Sequence, residues 1–208
     1  MQKLFYDRAD AGRRLAASLL AYRDSDALLL AIPRGGVPVA YEVANVLKLP
    51  MEVLLVKKIG HPAQPEYAIG AAGIDSVFID PHTDVSEAEL AVVIAQVQKR
   101  LRNMQAIWQG NKTPLSRKGR TVILIDDGIA EAHTLLMAVQ IVRTQAPKTI
   151  VVAVPVAPPE AIEKLSSLAD SVICLHTATW FTGVGAFYTH FEEVSDERVT
   201  QLLQSAPA

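Results

Sequence analysis

The stretch "ILIDDGIAEAHT", residues 123–134, ends an apolar run on two adjacent aspartates and then passes through a polar, glutamate-bearing turn into a new helical pattern. The residues leading in, "RKGRTVILID" (117–126), carry the short continuous apolar run of a buried strand, and "TLLMAVQIVRTQ" (134–145) has apolar positions at helical spacing. Strand, loop and helix therefore form a unit, and it recurs along the chain. "ALLLAIP" (27–33) is another apolar run, closed by Pro-Arg-Gly-Gly and followed by the helical "VPVAYEVANVLK" (37–48). "MEVLLVKK" (51–58) predicts a second buried strand, and "IGHPAQPEYAIG" (59–70) predicts a Gly/Pro-rich loop, mobile when the site is empty. "SEAELAVVIAQVQKRLRNMQAIWQ" (86–109) opens with Ser86 and Glu89 in capping-box spacing and is expected to be the longest helix. "TIVVAVPV" (149–156) and "SVICL" (171–175) complete the strands, separated by "PPEAIEKLSSLA", a helix with proline in its first turn. Near the N-terminus, "YDRADAGRRLAASLLAYR" predicts a helix capped by Asp7 or Asp10.

Near-continuous Val/Ile/Leu strands separated by helices call for a parallel sheet covered on both faces, a doubly wound α/β domain. In such sheets ligands bind in the crevice beyond the carboxyl ends of the strands. Those ends carry "PRGG" (33–36), "VKKIG" (56–60), "DDGIAEAHT" (126–134) and "VPVAPP" (154–159), so two basic patches and one acidic pair should converge.

Composition removes several classes of function. With 208 residues, 50% of them hydrophobic and 20% charged, the chain can bury the core of one domain spanning 1–208. A formal net charge of -2 supplies no global field for nucleic acid or an anionic membrane, so any anion recognition must be local. The N-terminal "MQKLFYDRADAGRR" lacks the apolar core of a signal peptide and no apolar run is long enough to span a bilayer, which sets the expectation of a cytoplasmic protein. The single Cys174 lies in an apolar stretch and is expected to be a buried core thiol. The five histidines show no zinc-ligand spacing, and HExxH, GK[ST] and GxSxG motifs are absent.

Taken singly, each patch has an ordinary structural reading. Asp126 and Asp127 could cap the next helix, Arg34, Gly35 and Gly36 could form a simple turn with the glycines at positive φ, and Lys57 and Lys58 could end a strand in solvent. Together on one sheet edge they suggest more. Exposed backbone N–H groups beside Arg and Lys suit a phosphate or pyrophosphate, and vicinal carboxylates suit a diol or hydrated magnesium.

That chemistry leads to a resemblance. "VILIDDGIAEAHT" (122–134) resembles the phosphoribosyl-diphosphate (PRPP) motif of type I phosphoribosyltransferases: an apolar strand, two acidic residues, then a small-residue loop ending in Thr. "LAIPRGGVPVAYEVA", "VLLVKKIGHPAQPEYAIGA" and "VGAFYTHFEEVSDERV" resemble a bacterial subgroup of predicted phosphoribosyltransferases, so the similarity runs over nearly the whole chain. It implies the type I fold with a small C-terminal hood, about residues 176–208 together with the N-terminal segment. It implies that Asp126 and Asp127 bond the ribose hydroxyls, that Arg34, Gly35 and Gly36 hold pyrophosphate with Lys57 or Lys58 assisting, and that Ala130, Glu131, Ala132, His133 and Thr134 wrap the 5-phosphate. The implied reaction displaces pyrophosphate from ribose with a nitrogenous base, with PRPP or a nucleotide as ligand, Mg2+ bound mainly through the substrate, and a homodimer as the assembly.

The 5-phosphate loop departs from the family pattern, with Glu131 where Thr is usual and Ala132 where Gly is usual. A carboxylate about 4 Å from a phosphate charge is opposed by roughly 4 kcal/mol at an effective dielectric near 20, and losing a required glycine costs about 1 kcal/mol. Protonated His133 and the helix N-terminus would offset part of this. Should Glu131 face the phosphate, a Glu131→Thr, Ala132→Gly replacement would raise PRPP affinity at least about tenfold. The same departure keeps open a second reading, a non-catalytic regulatory protein that binds a nucleotide or ribose phosphate. The aromatic run "WFTGVGAFYTHF" (180–191) fits a satellite core, or else a hood that stacks a base.

Overall fold

The computed structural model describes residues 3–110 and 113–207. Its main sheet is parallel throughout, with strand order β2-β1-β6-β7-β8: β1 (Leu28–Ala31), β2 (Met51–Val53), β6 (Thr121–Ile125), β7 (Thr149–Ala157) and β8 (Ser171–Thr177). Alternate residues of one strand feed opposite faces, as the two-residue pleat requires. Leu29 and Ala31 of β1, with Ile123 and Ile125 of β6, pack under α1 (Arg8–Ser18), α2 (Gly36–Leu47), α3 (Glu87–Gln109) and α6 (Asp196–Ser205). Leu28, Leu30, Val122 and Leu124 pack on the other face, under α4 (His133–Arg143) and α5 (Pro159–Ser166). Both faces are dry, which is why these strands read as unbroken apolar runs.

The chain leaves β1 toward β2 on one side and later returns as β6 on the other. Between β1 and β6 lies the topological switch point, where a crevice opens beyond the strand ends.

Local signals in the sequence fix several boundaries. Asp7 caps α1 by accepting from the Asp10 N–H at 2.7 Å. Ser86 and Glu89 form the capping box at the start of α3, and Pro159 stands in the first turn of α5.

Two expectations are corrected. The strand expected over 51–58 stops at Val53, and the expected loop after it is instead a small antiparallel sheet of β3 (Lys57–His61), β4 (Gln64–Ala72) and β5 (Val77–Ile79). Glycine and proline there mark an irregular hairpin rather than a break. The register shifts on both sides of Gly60, whose bare α-carbon abuts the Pro65 carbonyl, a place where a side chain would collide and a ladder donor is not needed. Cys174, in turn, is only half-buried, because β8 is the edge strand; burial still pushes its thiol pKa up.

The two ends of the chain join over the sheet. Leu4 and Phe5 donate to the Phe187 carbonyl, the Thr189 and His190 N–H groups donate to the carbonyls of Phe5 and Tyr6, and Phe5 forms a parallel bridge with Tyr188. Phe5, Phe187 and Tyr188 are buried in a satellite core with Phe181, Val184 and Phe191 around them, so the aromatic run packs. Trp180, at the start of the run, stands out in solvent, 83% exposed.

Candidate active site

Gly35 and Gly36 carry the loop from β1 into α2, and both are glycine for reasons of space. Gly35 has ordinary helical angles, φ -60° and ψ -36°, so positive φ is not what it supplies. A side chain on Gly35 would overlap the Asp127 carboxylate, and one on Gly36 would stand 2.6 Å from the Ile125 carbonyl oxygen and 2.9 Å from the Asp126 α-carbon. The arginine-bearing turn after β1 and the acidic pair after β6 are therefore in van der Waals contact. At Gly128 the need is conformational as well as spatial: its φ is +156°, with Val184 and Val156 methyls where a side chain would go.

The two aspartates do not cap α4. The N-cap of that helix is Ala132, with no side-chain hydrogen bond, and its first-turn N–H groups are left open to an anion. Asp126 Oδ1 accepts from the Asp127 N–H at 2.8 Å. Asp127 is 8% exposed, the one charged residue among the described residues to be so fully withdrawn from water. Its Oδ2 accepts from Arg8 Nε at 2.7 Å, and its carbonyl accepts from the Tyr188 hydroxyl at 2.6 Å. Burial pushes the Asp126 carboxyl well above the usual carboxylate range, and the charge of Asp127 adds to the shift. Burial also raises Asp127, but Arg8 opposes it there. The phenol of Tyr188 is pushed up by burial too and so stays a donor. A buried carboxyl beside a half-buried one, both pushed up, is the kind of feature that marks a functional site.

Arg34 reaches the other way. It pairs with Glu193 and stands 3.6 Å from Asp196, which also accepts from the Trp108 indole at 3.0 Å. A cavity of about 500 Å³ opens here, bordered by Arg34, Lys57, Thr134, Met104, Trp108 and Asp196. Three of the four sequence segments thus meet: the loop after β1, the start of β3 and the N-terminus of α4. Lys57 is exposed at the cavity, while Lys58 is half-buried. Ala130, Glu131, His133 and Thr134 are exposed, and Ala132 is buried. Glu131 is turned to solvent beside His133, Oε2 to Nδ1 3.2 Å. Ala132 has φ -70° and ψ -3°, angles natural to alanine, so that position needs no glycine.

Sequence reading did not single out Arg8, Tyr188, Glu193 or Asp196. Tyr188 lies 61 positions from Asp127, Arg8 lies 119 from it and Glu193 lies 159 from Arg34, and only the fold brings them to the acidic pair and Arg34. Among the described residues no cluster of three His, Cys, Asp or Glu could hold a metal, and Arg8 already occupies Asp127. Two vicinal carboxyls fit magnesium only as a hydrated ion carried largely by ligand phosphates.

A parallel sheet with an arginine-glycine turn and paired carboxyls at its switch point defines an α/β protein of the type I phosphoribosyltransferase fold. Residues 3–191 match the phosphoribosyl transferase domain family, and the chain belongs to it. It is 39% identical over 212 residues to the Mycobacterium tuberculosis (strain ATCC 25618 / H37Rv) protein named "Putative phosphoribosyl transferase Rv0571c", covering 98% of this chain and 47% of that one. The chain thus spans about half the length of that relative. It is 37% identical to the crystal structure of TT1426 from Thermus thermophilus, with a TM-score of 0.89 and full coverage of both chains. A hypoxanthine-guanine phosphoribosyltransferase from Bacillus anthracis, 12% identical with a TM-score of 0.51 over 86% of this chain and 85% of that one, shares the fold. Among the described residues no helix is long and apolar enough to cross a membrane.

Proposed function

We propose that the chain binds PRPP or a nucleotide and transfers a phosphoribosyl group between pyrophosphate and a nitrogenous base. The observation that carries this reading is the direct contact of Gly35 with the Asp127 carboxylate, which joins the turn proposed to hold pyrophosphate to the pair proposed to hold the ribose diol. A ribose on Asp126 and Asp127 would present its anomeric carbon toward the Arg34 turn. The lone pair of the base nitrogen forms the new N–C bond as the C–O bond to pyrophosphate breaks, that electron pair leaves with the pyrophosphate, and the proton of the base N–H passes to water or to the departing pyrophosphate. Arg34, Lys57 and the Gly35 N–H would stabilise the charge that develops on it, the Gly36 N–H being already given to the Ile32 carbonyl at 3.0 Å. Magnesium on the pyrophosphate would supply further charge neutralisation. The uncapped start of α4 would receive the 5-phosphate.

The second reading, a binding protein that does not turn its ligand over, rests on Glu131 in the phosphate loop, and the turn of that side chain to solvent beside His133 removes most of the repulsion that argued for it. Incubation with PRPP, magnesium and a panel of purine and pyrimidine bases separates the two. Release of pyrophosphate dependent on one base supports transfer; binding of PRPP with no release for any base, and none in the reverse direction from nucleotides, supports the sensor.

A further inference from the structure

The acidic pair has a third member that enters from the far end of the chain. Arg8 is the first residue of α1, where the positive pole of the helix disfavours a cation, so nothing in the local helix accounts for an arginine there. Its surroundings do. Nε donates to Asp127 Oδ2 at 2.7 Å, Nη1 donates to the Glu192 carbonyl at 2.7 Å, and the guanidinium lies 3.8 Å over the Phe191 ring. The side chains of Arg8 and Asp127 are 13% and 12% exposed, so this is not a solvent-screened surface pair. A planar fork with several fixed donors can make both hydrogen bonds and the stack at once, which a lysine ammonium cannot.

From these contacts we infer that Arg8 is a positioning residue for the acidic pair: it holds the Asp127 carboxylate against the bare backbone of Gly35, and so makes the N-terminal helix part of the ribose site. Arg8 occupies one oxygen of Asp127, which leaves the other oxygen and Asp126 to receive the ribose hydroxyls. Tyr188 does for the main chain of Asp127 what Arg8 does for its side chain, and both are anchored in the joined chain ends. Burial raises both carboxyls, and Arg8 opposes the rise at Asp127 while its hydrogen bond fixes where that carboxyl stands. The inference takes its ligand from the ribose reading above, but its geometry stands without it.

The test compares the parent with Arg8→Ala and Arg8→Lys, each with and without added ethylguanidinium. Two quantities are read: affinity for PRPP with magnesium, and the side-chain carboxyl 13C resonance of Asp127, assigned by its loss in Asp127→Asn. Positioning requires that Arg8→Ala weaken PRPP at least tenfold and move the Asp127 resonance, that ethylguanidinium restore both, and that Arg8→Lys fall between. If Arg8→Ala lowers the melting temperature but leaves affinity and resonance where they were, or if guanidinium restores neither, Arg8 is only a staple and the inference is overturned. Should Arg8→Ala not fold, Arg8→Lys is read for the same two quantities. Should the parent bind no PRPP, the ribose reading falls alone. The resonance then decides: movement with rescue upholds positioning, and an unmoved signal overturns it.

Discussion

Asp126 and Asp127 are neighbours in sequence with opposite electrostatic situations. Asp127 has Arg8, whereas Asp126 has burial and a like charge beside it. A carboxyl whose pKa is raised in the folded state contributes stability that is fully present below its unfolded value and is lost as pH rises through the folded one. Asp126→Asn removes that loss. Thermal unfolding across pH should therefore show the variant more stable than the parent at pH 7, with the gain shrinking toward pH 4, while ribose-phosphate affinity falls. A variant less stable at pH 7 would mean that Asp126 is ionised and satisfied in the fold. The acidic pair was legible only in company: alone it could have capped the next helix, and the Arg-Gly-Gly and Lys-Lys segments at the same sheet edge are what pointed to a ligand. Arg8 was not legible: its partner is 119 positions distant, and an arginine early in a helix looks like any other solvated one.

Elements carry the next level of the site. The β3–β4 hairpin has the composition of a loop, and Gly60, Pro62 and Pro65 hide its pairing; only the bulged register explains how they coexist with a ladder. Its base is anchored by buried Ile59 and Ile69, while residues 62–65 at the tip are exposed. Amide exchange across 59–68 should be fast at the tip in the free protein and slow when a pyrophosphate-containing ligand is added. Protection unchanged by ligand would make the hairpin a fixed wall. The phosphate loop tests differently. Sequence alone set a tenfold gain for Glu131→Thr, Ala132→Gly, on the condition that the carboxylate faces the phosphate. With Glu131 80% exposed beside His133 and Ala132 in helical angles, the expected change in PRPP affinity is less than about fivefold, the range of exposed ion pairs. A larger gain that shrinks with added salt would put Glu131 over the ligand after all.

At the scale of the molecule, strand-helix alternation predicted the parallel sheet and the edge where the candidate site lies, because both follow from short-range pattern. Hood construction did not follow from pattern, since it depends on residues 4–6 pairing with 187–190 and on a satellite core built from both ends of the chain. With a net charge of -2, the molecule offers no general attraction to a polyanion, so the proposed recognition of a phosphorylated sugar rests on the switch-point crevice. Titration calorimetry of PRPP into the protein with magnesium, run in parallel on Asp126→Asn and Arg34→Ala, tests that most directly. One site per chain is expected, with affinity reduced at least about tenfold in each variant, a loss of about 1.4 kcal/mol or more. Absence of heat with PRPP, pyrophosphate and nucleotides at millimolar concentration, or equal binding by both variants, would contradict a ribose-pyrophosphate site between β1 and β6.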